Sequence, residues 1–156
     1  YREEAVGNAK EFASKLGVQQ LVLSYKELYG LKLDESLERR NGKRVAACTI
    51  CGTLRRRALD IGAKKVDANV VATAHNLDDA LQTFMINLLS GDVERIKWLD
   101  PASEPKKIFG LKRIKPLMEV YEAEIAYYAF LNDIPFQTVS CPHMSESIRS
   151  DLRVML

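Results

Sequence analysis

A run of small and β-branched residues, Asn69-Val70-Val71-Ala72-Thr73-Ala74, leads directly into a strongly periodic segment beginning at Leu77. The first has the length and composition of a buried strand. In the second, Leu77, Leu81, Phe84, Met85, Leu88 and Leu89 recur at helical spacing, and Gly91 ends the pattern. A strand that turns into an amphipathic helix is half of a strand–helix–strand unit. The same alternation continues along the chain. Residues 2–16 read as an amphipathic helix stopped by Gly17, and Leu21-Val22-Leu23 as a short buried strand. A short helix near Asp34–Arg40 and a loop at Asn41-Gly42 follow, then a helix from the Cys48 region to Lys65. Pro101 and Pro105 mark a loop before an edge strand around Ile108. A helix runs from Pro116 to Leu131 with Val120, Ala123, Tyr127 and Phe130 inward, Phe136-Gln137-Thr138-Val139 is a last strand, and a final helix carries Ile148 and Leu152. The expected architecture is α/β, a mostly parallel sheet flanked by helices in one domain over 1–156.

The 156 residues suffice for one domain with a real core. No uncharged apolar run approaches bilayer-spanning length and no signal peptide is visible, so the expected location is the cytoplasm, with no membrane partner. Both ends fall inside helical patterns, so the chain reads as a piece of a longer protein. The net charge of +2 is small, but Arg39, Arg40, Lys43, Arg44, Arg55, Arg56 and Arg57 crowd around one cysteine pair. Such a patch suits a phosphate backbone or a solvated face.

Cys48-Thr-Ile-Cys51 places two thiols at the start of a helix, beside Arg55. Soft sulfur ligands at this spacing reach one metal centre, and a helix N-terminus with a guanidinium nearby favours the thiolate. With Cys141 the count is three, which cannot close a disulfide framework. Structural zinc prefers four protein ligands, and only His143 or His75 is available to complete the set. Three thiols suit a [4Fe-4S] cluster with one iron left open. A zinc clip, or unconnected core cysteines, remains the alternative.

His75-Asn76-Leu77-Asp78-Asp79 follows the strand, where α/β sheets bind ligands. Its backbone N–H groups and carboxylates suit a nucleotide and its magnesium, or are only a helix terminus favoured by the dipole. Arg149 and Arg153, four apart on one helix face, either grip phosphate or bridge to surface carboxylates.

Taken together, three stretches resemble the PP-loop tRNA 2-thiolation enzymes, in particular the archaeal and eukaryotic cytoplasmic wobble-uridine branch. They are Cys48-Thr-Ile-Cys51-Gly52-Thr-Leu-Arg55-Arg56-Arg57-Ala-Leu-Asp60, Ala72-Thr-Ala-His75-Asn76-Leu-Asp78-Asp79 with Gln82-Thr83, and Cys141-Pro142. Asn87 to Arg95 and Lys115-Pro116-Leu117 extend the likeness. The resemblance implies an adenine nucleotide alpha hydrolase-like fold. It also implies an ATP-dependent tRNA uridine 2-sulfurtransferase that adenylates the C2 oxygen and replaces it with sulfur. By position, Cys48, Cys51 and Cys141 would hold an iron–sulfur cluster. Arg55, Ala74, His75, Asn76 and Asp79 would meet ATP, and Asp79 with Arg55 would serve the chemistry. Arg40, Lys43, Arg56, Arg57, Arg149 and Arg153 would meet tRNA. The sulfur would come from a ubiquitin-like carrier protein or from sulfide, and a homodimer fits the family.

The sequence departs from the family pattern in four places. The Ser-Gly-Gly-x-Asp-Ser phosphate loop does not occur in these residues, which leaves the isolated piece without the means to adenylate. Ala74 stands where glycine is usual, Ala80 where glutamate is common, and Arg55 where some relatives carry lysine. Thiolation of a T-loop uridine or of a cytidine is the alternative within the family. A zinc-stabilised RNA-binding module without catalysis is the alternative outside it.

Overall fold

The computed structural model describes residues 2–40, 45–97, 99 and 111–155. Lys43 and Arg44, the Asn41-Gly42 loop, Pro101, Pro105 and the expected edge strand at Ile108 lie outside the described residues. Eight α-helices and two strands are assigned among the described residues. They are α1 (Arg2–Lys15), α2 (Tyr25–Tyr29), α3 (Leu33–Glu38), α4 (Ala47–Lys65), β1 (Val70–Ala72), α5 (Leu77–Leu89), α6 (Val93–Lys97), β2 (Lys112–Ile114), α7 (Glu122–Leu131) and α8 (Ile148–Met155), with a 3-10 turn at Met144–Glu146. The two strands pair in parallel, Val70 opposite Lys112 and Ala72 opposite Ile114. Parallel pairing requires a crossover, and α5 and α6 supply it. No helix among the described residues is long and apolar enough to cross a membrane.

The chain divides into two compact units, Tyr1–Gly62 with Tyr127–Ser147, and Ala63–Ala126 with Ile148–Leu156. In the first, Gly17 ends α1 at φ 67°, as expected. α2 begins with a capping box in which the Ser24 hydroxyl accepts from Glu27 N and the Glu27 carboxylate accepts from Ser24 N. Gly62 of α4 has Leu23 packed so close that an added Cβ would stand 3.1 Å from its Cδ1. Leu37 and Ala47 are buried.

In the second unit, Thr73 N donates to Ile114 O at 3.0 Å and prolongs the β1–β2 pairing. Ala63, Leu111 and Leu152 are its buried aliphatics among the described residues, and α5 packs against α6 and α8.

Five expectations are corrected. Leu21–Leu23 and Phe136–Val139 are not strands, and Leu21, Val22, Phe136 and Val139 are all about half exposed. An apolar run becomes a strand only when a neighbouring ladder pairs its amides, and β1 and β2 pair with each other. Helix α7 starts at Glu122 rather than at Pro116. Residues 115–120 form turns, Met118 N to Lys115 O and Val120 N to Leu117 O, as suits a residue preceding proline. Tyr127 and Phe130 are then exposed, with Ile125 and Ala129 on the less exposed face. Helix α5 is phased opposite to expectation: Gln82 and Asn87 are buried, while Leu81, Phe84, Leu88 and Leu89 are exposed.

Candidate functional site

In the first unit, α4 begins at Ala47, which places Cys48 and Cys51 in its first turns. Cys48 is exposed, Cys51 and Cys141 are half-buried, and no disulfide joins the three. The i,i+4 spacing brings Arg55 Nη2 to 3.7 Å from Cys51 Sγ. Tyr25 donates its hydroxyl to Cys51 O at 3.3 Å and stands 3.8 Å from Cys51 Sγ. One helical turn on, Tyr29 donates to Leu54 O at 2.9 Å, and the two tyrosine rings lie 5.9 Å apart. Helix α2 is thus fastened by two hydroxyls to the turn that carries the thiols.

These contacts shape the local charge. Burial raises the Tyr25 phenol above its ordinary range, and the Cys51 sulfur adds to the effect. Burial disfavours the charged Arg55, but Cys51 and Tyr25 more than offset it and hold the guanidinium above its usual value. A permanent cation therefore stands beside one of the thiols.

Cys141 belongs to the same unit, in the segment before the 3-10 turn. Glu146, at the end of that turn, accepts from Ala47 N at 2.9 Å and from Arg40 Nη1 at 2.8 Å. The Arg40 guanidinium lowers the Glu146 carboxyl below the ordinary range, and the Ala47 amide adds to this. Arg40 also donates to Leu37 O and Val45 O, both at 3.0 Å, so its guanidinium faces the protein. Arg56 and Arg57 are exposed. The His143 ring is shared between Asp34 at 3.3 Å and Glu146 at 3.7 Å. Among the described residues, no three Cys, His, Asp or Glu side chains stand together closely enough to hold a metal ion. The chemistry of the set still fits an iron–sulfur cluster: three cysteines in one unit outside any disulfide, two of them in the first turns of a helix with Arg55 beside Cys51.

The second unit holds Ala74, His75, Asn76 and Asp79. His75 Nδ1 lies 2.9 Å from Thr73 Oγ1. Asn76 Oδ1 accepts from Asp79 N at 2.9 Å and Asp79 Oδ2 accepts from Asn76 N at 3.3 Å, a reciprocal cap on α5. Asp78 accepts from Glu122 N at 2.6 Å. Arg149 extends from α8 to Asp79 O at 3.3 Å, Gln82 Oε1 at 3.2 Å and Thr83 Oγ1 at 2.7 Å, with Asp79 Oδ1 at 3.7 Å. Arg153 pairs with Glu122 at 3.0 Å. Both arginines are thus committed to protein partners. An open cleft of about 470 Å³ runs past Leu77 and Ala80 of α5 to Lys115, Pro116 and Met118.

Sequence reasoning missed Tyr25, Tyr29, Glu146 and the Arg149–Gln82–Thr83 network. Only α2 left a local signal, the Ser24–Glu27 capping box ahead of two tyrosines one turn apart.

A "tRNA 2-thiolation protein NcsA" of Haloferax volcanii is 34% identical over all of this chain and 50% of its own length. A "cytoplasmic tRNA 2-thiolation protein 1" of Chlamydomonas reinhardtii is 37% identical over 90% of this chain and 39% of its own. The chain thus spans half or less of the length of these curated relatives. The solved structure of the U34-tRNA thiolase NcsA from Methanococcus maripaludis with its [4Fe-4S] cluster superposes with a TM-score of 0.78. It is 28% identical, and the match covers 97% of this chain and 49% of that one. A PP-loop domain model matches residues 14–156, and with the parallel strand pair and its helical crossover this establishes that the chain belongs to the PP-loop domain family.

Proposed function

We propose that this chain is the central part of an ATP-dependent tRNA uridine 2-sulfurtransferase acting at the wobble position in the cytoplasm. The observation that supports it best is the first unit itself, with three cysteines, Arg55 beside Cys51, and the Cys141 segment bonded to the start of the cysteine helix. A [4Fe-4S] cluster held by Cys48, Cys51 and Cys141 would supply an open iron for the incoming sulfur. Arg55 would keep positive charge at that centre, and Asp79 would serve the reacting uridine. In adenylation the uridine C2 oxygen bonds to the α-phosphorus of ATP and pyrophosphate leaves; sulfur then replaces that oxygen, which departs with AMP. Ala74, His75 and Asn76 form the turn proposed for ATP and its magnesium. Arg56 and Arg57, exposed along α4, are the arginines best placed for tRNA phosphates. A ubiquitin-like carrier or sulfide would donate the sulfur, and a homodimer is the assembly we favour. We assign residues 1–156 to one partial domain.

Expression of the complete gene that contains this chain's coding sequence in a Haloferax volcanii strain lacking NcsA is expected to restore 2-thiouridine at the wobble position, read by mass spectrometry of tRNA digests. Thiolation only of a T-loop uridine or a cytidine would reassign the target. No thiolation, with tRNA still bound, would select the RNA-binding module.

A further inference from the structure

Cys141 is 90 positions beyond Cys51, so the sulfurs can share a centre only if its segment is held in place. Hydrogen bonds wind that segment into consecutive turns. Met144 N donates to Cys141 O at 3.0 Å, and Glu146 N donates to His143 O at 3.2 Å. The Glu146 carboxylate then joins this piece to α4 by accepting from Ala47 N at 2.9 Å. Ala47 opens the helix and immediately precedes Cys48. Its amide is among those a helix cannot satisfy within itself, and a carboxylate is favoured there by the dipole. Arg40, braced on the Leu37 and Val45 carbonyls, grips the same Glu146 oxygen at 2.8 Å.

We infer that Glu146, gripped by Arg40, is the positioning residue that holds the Cys141 segment against the start of the helix bearing Cys48 and Cys51. Neither side chain is buried, with 29% and 33% of Arg40 and Glu146 exposed, so truncating either opens no core cavity. Their contribution is orientation. Tying the segment that carries the late thiol to the start of α4 lowers the ordering cost of assembling a three-sulfur centre. The inference rests on the cluster reading proposed above, and its test separates the two.

The chain is reconstituted anaerobically with limiting ferrous iron and sulfide, and bound iron and the electron paramagnetic resonance spectrum after reduction are recorded. Glu146→Ala is expected to weaken iron loading about 10- to 100-fold, the range for residues that orient metal ligands. Arg40→Ala is expected to follow it. Glu146→Gln, which keeps an acceptor for Ala47 N but not the charge, should lie between. Wild-type loading and spectrum in Glu146→Ala and Arg40→Ala would overturn the inference; should Glu146→Ala fail to fold by circular dichroism, Arg40→Ala and Glu146→Gln decide it on the same terms. A metal-free measurement keeps it independent of the cluster. Dibromobimane is expected to bridge Cys141 to Cys48 or Cys51 several-fold faster in the wild type than in Arg40→Ala, and equal rates would overturn the inference. If the wild type bridges but takes up no iron, the cluster reading fails and the positioning role stands.

Discussion

Replacing Cys141 by alanine is expected to abolish cluster binding and, with it, the thiolation proposed above for the complete protein. The two remaining thiols lie one helical turn apart on α4. Arg55 at 3.7 Å from Cys51 and the Tyr25 hydroxyl at 3.8 Å remain in place without Cys141. The substitution therefore removes one ligand and leaves the charge environment of the early pair intact. Two thiolates do not hold a four-iron cluster, which is ligated through cysteine at each protein-bound iron. Iron per chain should fall to background, and 2-thiouridine should disappear from the tRNA. Folding should be preserved, because Cys141 is not buried. A Cys141→Ala protein with full cluster absorbance would remove Cys141 from the ligand set.

The second large effect is expected at Asp79, where a structural and a chemical role must be separated. Its carboxylate caps Asn76 N at 3.3 Å, and its other oxygen lies 3.7 Å from Arg149. Asp79→Asn retains an oxygen that can accept from Asn76 N. It loses the charge that favours a helix N-terminus and a half-exposed ion pair, each worth about 1 kcal/mol or less. Stability should fall by about 1 kcal/mol in denaturant melts. If Asp79 acts on the reacting uridine, thiolation should fall by about 10²- to 10⁴-fold, the range for a positioned acid or base. Asp79→Ala should also lose the cap and be the less stable of the two. Full thiolation by Asp79→Asn would reduce Asp79 to a capping residue.

Where sequence and structure agree, the signal is local. The spacing of Cys48, Cys51 and Arg55 needs only a helix to bring the last two together, and α4 provides it. The periodicity that ends at Gly17 and the β-branched run at Val70–Val71 likewise report on their own segments. What could not be read depends on distant partners. β2 is Lys112-Arg113-Ile114, with no strand pattern of its own; it exists because β1 offers a ladder. The α5 face was misjudged because Gln82, a polar residue, is buried against Arg149, which is 67 positions away. Apolar periodicity alone cannot anticipate that partner. Glu146 was invisible for the same reason, since Ala47 lies 99 positions before it.

The central claim is that three sulfurs from distant parts of one chain serve a single iron–sulfur centre, and the metal content of the anaerobically purified wild-type protein tests it most directly. The account predicts a brown protein with broad visible absorbance, about four irons per chain and no stoichiometric zinc. A colourless protein carrying about one zinc per chain would contradict it and make the thiol set a structural clip.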